Sequence, residues 1–204
     1  MATETVAVQA RTSLEAMNSI LAMNGNSPVT DYNATDNLDV VLARQVIEET
    51  SLEVQEDSWL FNREKDITLS PDGSDEVVLA TELTDTGYTP DEIARIDFVQ
   101  SKNKNKDLIV RAGKVYDRFD NTFTITHDVY ADIVWYLPWA DLPNDIRYYI
   151  TIRAARKYNA RRQGSETIDQ MLREQEAYAL ARARGAEMDR GDYNALKNSR
   201  VLWR

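Results

Sequence analysis

The feature that most limits what this chain can form is where its helical periodicity falls: near both ends, with a different pattern between them. At the start, Val6, Ala10, Leu14, Met17 and Leu21 are three or four residues apart, which puts them on one face of a helix over about residues 3–23. Asn24-Gly25-Asn26-Ser27-Pro28 stops it, because glycine accepts a left-handed cap and proline cannot continue the hydrogen-bond ladder. A second helix is expected from a cap at Thr35 or Asp36 to about residue 57. Leu38, Val41, Leu42, Val46, Glu49 and Leu52 keep its period, and Val40, Ile47 and Val54 form an adjacent stripe. At the other end, Pro143 suits the first position of a helix over about 142–163. Ser165 or Thr167, the latter with Gln170 as a capping box, opens a last helix whose apolar face is Ile168, Leu172, Ala179, Ala183 and Ala186. Helices with one apolar face need partners, so head and foot of the chain should pair.

Between the ends the pattern changes to short apolar or β-branched runs: 59–61, 67–69, 77–79, 93–99, 107–111, 114–116, 122–126 and 129–137. Pro71-Asp72-Gly73-Ser74-Asp75 is dense in turn formers, and Ala112-Gly113 reads as a tight hairpin turn. The expected fold class is α+β: a four-helix bundle of N- and C-terminal helix pairs with an inserted antiparallel β domain. The expected divisions are 1–57, 58–140, 141–191 and a C-terminal tail, 192–204.

Charge and composition narrow the function. The 204 residues carry a net charge of −10. Residues 1–100 hold 20 acidic and 5 basic side chains, residues 101–204 hold 14 and 19. Such a chain is not a general nucleic-acid binder, which needs a strongly basic surface; it suits a subunit meeting oppositely charged neighbours. There is no cysteine and one histidine, His127, so disulfides, thiol nucleophiles and two-histidine metal sites are excluded. No glycine-rich phosphate loop occurs, and neither a metal site nor a cofactor is expected. No apolar run approaches the ~20 residues of a membrane span, and the first residues lack the basic start and apolar core of a secretory leader.

Three groups of residues stand out as contacts. Arg147, Arg153 and Arg156, with Tyr158, mix Arg and Tyr around the girth of one helix, a composition enriched at subunit interfaces. Lys102, Lys104 and Lys106 alternate with Ser101, Asn103 and Asn105 and form a basic finger suited to DNA phosphates or a partner. Tyr193, Leu196, Leu202 and Trp203 make the tail apolar beyond the last helix, which points to docking on a partner. Acidic pairs such as Glu48-Glu49, Glu56-Asp57 and Asp75-Glu76 raise the alternative of glycan hydrolysis, but adjacency in sequence does not set the carboxyl spacing across a sugar that this chemistry requires. Glu49, Glu53 and Glu56, at helical spacing, read more simply as a solvated face.

The order of these features resembles the tail tubular protein A family of short-tailed, podovirus-type phages, also called the gatekeeper or head-to-tail adaptor. The resemblance rests on the opening helix with Leu14, Asn18, Ile20 and Leu21 leading into Gly25-Asn26-Ser27-Pro28-Val29. It continues through Trp59-Leu60-Phe61-Asn62 with Ile67-Thr68-Leu69-Ser70-Pro71, and Val115-Tyr116-Asp117-Arg118. It ends with Leu142-Pro143, Arg147-Tyr148-Tyr149-Ile150, Ala154-Ala155-Arg156-Lys157-Tyr158 and Asp192-Tyr193-Asn194. Residues 75–109 match nothing in that pattern.

The resemblance implies a non-enzymatic virion protein of the phage tail, assembled in the host cytoplasm. It implies a homo-oligomer, a dodecameric ring, between the portal protein and the tail nozzle (tail tubular protein B), with the tail fibre as a further neighbour. Double-stranded genomic DNA would pass through its channel, in transient contact, during retention and ejection. Twelve copies at −10 each would present an acidic assembly over which phosphates slide rather than stick. The tail should carry the portal contact: deleting residues 192–204 is expected to abolish co-sedimentation of the ring with portal, and undiminished co-sedimentation would refute that role.

Overall fold

Apolar stripes at the two ends of a chain find cover when the ends fold on one another. The computed structural model describes residues 12–83, 89–99 and 107–191. They form five helices, α1 (Ser13–Met23), α2 (Leu38–Gln55), the single turn α3 (Leu79–Glu82), α4 (Asn144–Arg162) and α5 (Glu166–Arg190). Five strands, β1 (Arg63–Leu69), β2 (Ile93–Val99), β3 (Leu108–Arg111), β4 (Lys114–Asp117) and β5 (Val129–Trp135), make two small antiparallel sheets. The chain divides into two compact units, Met1–Val54 with Pro138–Arg204, and Gln55–Leu137.

In the helical unit one core draws on all four long helices. Ala16, Met17, Ile20 and Leu21 come from α1, and Val40, Ala43, Val46 and Ile47 from α2. Ala154, Ala155 and Tyr158 of α4 and Leu172 of α5 complete it. Helix α4 packs against both α1 and α5. A polar latch fixes the register of α1 and α4. The buried Asn24 amide donates to the carbonyls of Ile20 (2.8 Å) and Ala155 (3.3 Å). Gln163 donates to the Asn24 carbonyl at 2.6 Å, and Asn26 donates to the Tyr158 hydroxyl at 2.7 Å. Buried amides and carbonyls are costly unless paired, so the latch disfavours a slipped register.

The caps explain where the helices begin. Thr12 and Glu15 form a reciprocal capping box at α1. The expected first turns at 3–11, with Val6 and Ala10, lie outside the described residues. Helix α2 is capped by Asn37 rather than Thr35 or Asp36: its side chain accepts from the Asp39 amide and its carbonyl from Val40 and Val41. Ser165, not Thr167, caps α5 by accepting from the Ile168 amide.

In the β unit, β5 is the centre of the order β1-β5-β2. Val129, Ala131, Ile133 and Trp135 point from it into a core with Leu69, Val77, Leu79, Leu83, Val115 and Ile125. The other face carries Asp132, whose carboxylate accepts from the Arg63 guanidinium and the Asp66 amide. These donors, Arg63 first, hold its carboxyl below the usual range. Strands β3 and β4 pair through Ala112-Gly113, whose φ of 51° and 72° match the handedness a two-residue hairpin needs.

Three expected strands, 59–61, 77–79 and 122–126, are absent; in the last, Thr122 makes only an isolated bridge to Asp117. Trp59-Leu60-Phe61 is a turn, because Ser58 takes a φ of 61° and the Asn62 amide donates to the carbonyls of Gln55 and Trp135. Val78 makes a single bridge to Lys114 before α3 begins.

Ile20 is fully buried in the helical core. Ile20→Ala should therefore cost about 2–5 kcal/mol in chemical unfolding, through lost burial and the cavity left behind.

Candidate functional site: the charged cleft on helix α4

The cations of α4 follow the same four-residue spacing that defines a helix face: Arg153, Lys157 and Arg161. Helix α2 supplies acids at matching spacing, Glu49 and Glu53. Running antiparallel, the two helices bring them together. Arg161 meets Glu49 at 2.6 Å, and Lys157 and Arg153 converge on Glu53, the latter at 3.2 Å. Arg162 meets Asp39 at 2.6 Å. The opposite flank of α4 does the same to α5. Arg156 pairs with Asp169 (2.6 Å) and Glu176 (3.1 Å), and Asp145 takes Arg182 and Arg190, both at 2.9 Å. Arg182 also lies over the Tyr148 ring, 5.9 Å from its centroid.

A cleft of about 310 Å³ opens along this network, lined by Arg153, Arg156, Lys157, Ala160, Asp169 and Glu176. Hydrogen bonds from Arg156 and then Arg173 hold the Asp169 carboxyl below its ordinary value, so it stays ionised. The hydrogen bonds to Asp169 and Glu176 raise the Arg156 pKa in turn. The lining consists of three cations, two carboxylates and Ala160, so it presents ion pairs and hydrogen bonds. Among the described residues no group of three or more His, Asp or Glu side chains converges to hold a metal ion.

The residues singled out from sequence fall as follows. Arg153 and Arg156 line the cleft. Arg147 sits one helical turn from the start of α4 and donates to Asn144 at 2.6 Å. Tyr158 lies in the core; burial, and then the Asp39 carboxylate, push its hydroxyl up to about 12. Lys102, Lys104 and Lys106, and the tail residues Tyr193, Leu196, Leu202 and Trp203, lie outside the described residues. Glu49 and Glu53, read as a solvated face, stay substantially exposed and also pair with the cations of α4. The complementary four-residue spacings on two distant segments were the available signal. Glu56 accepts from the Tyr136 hydroxyl at 2.7 Å, and Glu76 pairs with Lys114.

Folding also redistributes the charge. The segment 55–137 carries 17 acidic and 9 basic side chains, a net −8, whereas the rest carries 17 and 15, a net −2. The units differ by 6 charges where the halves of the sequence differ by 20, because the helical unit joins the acidic start of the chain to its basic end.

These features define an ion-paired helical scaffold carrying an acidic β insert. A family model described as tail tubular protein matches residues 14–193. The chain belongs to the tail tubular protein family, which places it among phage tail structural proteins. No curated protein matches it.

The network predicts graded sensitivity. Arg156→Ala should cost about 1 kcal/mol, since the guanidinium joining Asp169 to Glu176 is lost and Asp169 keeps only Arg173. Arg173→Ala, at an exposed pair, should stay within about 0.5 kcal/mol. The Asp169 folded-state pKa is depressed. Its contribution is therefore present above the ordinary 3.8 and lost as pH falls through the lower folded value. Melting curves between pH 2 and 6 should show a shallower acid loss in Arg156→Ala than in the wild type.

Proposed function

We propose that this chain is the ring-forming adaptor of a short phage tail, seated between portal and nozzle and enclosing part of the DNA channel during genome retention and ejection. The match to the tail tubular family over residues 14–193 carries this reading. In it, residues 1–57 and 141–191 form a four-helix bundle that serves as the ring's scaffold. Residues 58–140 form the inserted domain, and 192–204 dock on the portal through Tyr193, Leu196, Leu202 and Trp203. Arg147, Arg153 and Arg156 border the subunit contact, with Tyr158 bracing the helix from beneath. Lys102, Lys104 and Lys106 touch DNA or a neighbouring tail protein.

A scaffold whose cations are already paired offers few free basic groups to phosphate, which favours passage over retention. We place the acidic lining of the channel on the β unit, where most of the net charge resides. A closed ring uses two different faces of each subunit, and charge guides which faces meet. The ion-paired lining of the cleft also supports a structural role over the glycan-hydrolysing alternative.

Electron-microscopy class averages of the purified protein, alone and with portal, test the proposal. Annular particles of about a dozen subunits, formed alone or on portal, are the expected result. Particles that stay monomeric with portal present would overturn it.

A further inference from the structure

Helix α5 outlasts its own packing. It buries Leu172, Ala179 and Ala183, and none of the residues after Ala183 is buried. The helix nevertheless continues to Arg190, and the Gly191 amide still donates to the Glu187 carbonyl at 2.9 Å. Gly185 lies within this uncovered stretch, and a glycine weakens a helix interior. Helix ends without apolar cover fray, because each residue held in the helix costs backbone entropy that an exposed hydrogen bond barely offsets.

One carboxylate spans the stretch. Asp145, in the first turn of α4, accepts from Arg182 and Arg190, both at 2.9 Å. The two arginines are eight residues apart, a little over two turns, so they bracket the residues that packing leaves uncovered. The Asp145 side chain is 13% exposed, against 42% and 45% for the arginines, so it is the fixed member of the set. Its place at the amino end of α4 suits it, since the helix dipole there favours an acid. The Tyr148 ring, beneath Arg182, steadies that guanidinium further.

We propose that Asp145 is a clasp that keeps the last two turns of α5 helical and so fixes the point from which residues 192–204 leave the scaffold. Those residues follow directly on Gly191. The inference deepens the portal-docking reading of the tail and rests on it for its consequence. As helix, residues 184–190 span about 10 Å; unwound, they reach as far as ~25 Å. A tail rooted at Gly191 meets its partner from a defined origin. A tail rooted seven residues earlier samples a larger volume, which lowers its effective concentration at the docking site. Asp145 acts on docking through the two arginines, as a positioning residue.

Amide hydrogen exchange of the full-length protein tests the clasp. In Asp145→Asn, amides 186–191 should exchange roughly fivefold faster, while those of α1 and of residues 150–158 keep their rates. Arg190→Ala, an exposed change at the helix end that leaves the core intact, should loosen the same amides. Adding it to Asp145→Asn should change little more, because the two act through one contact. Asp145→Glu keeps a carboxylate and should keep exchange slow. Unchanged exchange at 186–191 in Asp145→Asn and Arg190→Ala would overturn the proposal. So would faster exchange spread over all four long helices, which would make Asp145 a prop of the whole scaffold. Co-sedimentation with portal reads the consequence: Asp145→Asn should weaken association about threefold. Undiminished association, where deleting residues 192–204 abolishes it, would overturn the positioning role. If that deletion leaves association intact, the tail reading fails, and exchange alone decides the clasp.

Discussion

Helix α4 is a cationic rod held between two acidic helices. Its arginines and lysine meet Asp39, Glu49 and Glu53 on one flank and Asp169 and Glu176 on the other, while its own Asp145 receives Arg182 and Arg190. Single exposed ion pairs contribute little. This set differs because the pairs are linked through shared carboxylates and lie over a common apolar core. Burial of Met17, Ile20, Val46 and Tyr158 supplies the driving force. The ladders fix the rotation and register in which that burial happens, because a slipped helix would set like charges together. The Asn24 and Asn26 latch adds the same discrimination at the end of α1.

That arrangement also accounts for the character of the cleft. Each cation in it is answered by a carboxylate, so it offers complementary charged contacts. Membership of the tail tubular family fits a molecule whose charged groups serve adhesion between helices. The β unit differs: it concentrates the net negative charge and holds Asp132 low by means of Arg63.

Much of the secondary structure was legible because it rests on local chemistry. Helical periodicity placed α1, α2, α4 and α5, and Ala112-Gly113 announced the β3–β4 hairpin. The misreadings have local causes too. Trp59-Leu60-Phe61 looks like a strand, but Ser58 and the Asn62 side chain bend the backbone there. Asn37, one residue past the expected caps, is the residue whose side chain reaches the Asp39 amide. The cleft was half legible. Arg153 and Arg156 stood out by composition. Glu53, Asp169 and Glu176 did not, because an acid facing solvent and an acid facing a distant helix look alike in sequence; only matching spacings on separate segments tell them apart. The imbalance between the halves of the chain had the same limit, since sequence neighbours are not spatial ones.

One consequence follows from the way the chain departs at Val54 and returns at Pro138. Every core residue and ion pair named for the helical scaffold lies outside the stretch between those points. Closing a long excursion costs only slowly more as it lengthens. The intervening stretch is therefore one uninterrupted run of sequence from which the helical scaffold's named core and ion pairs draw no side chain.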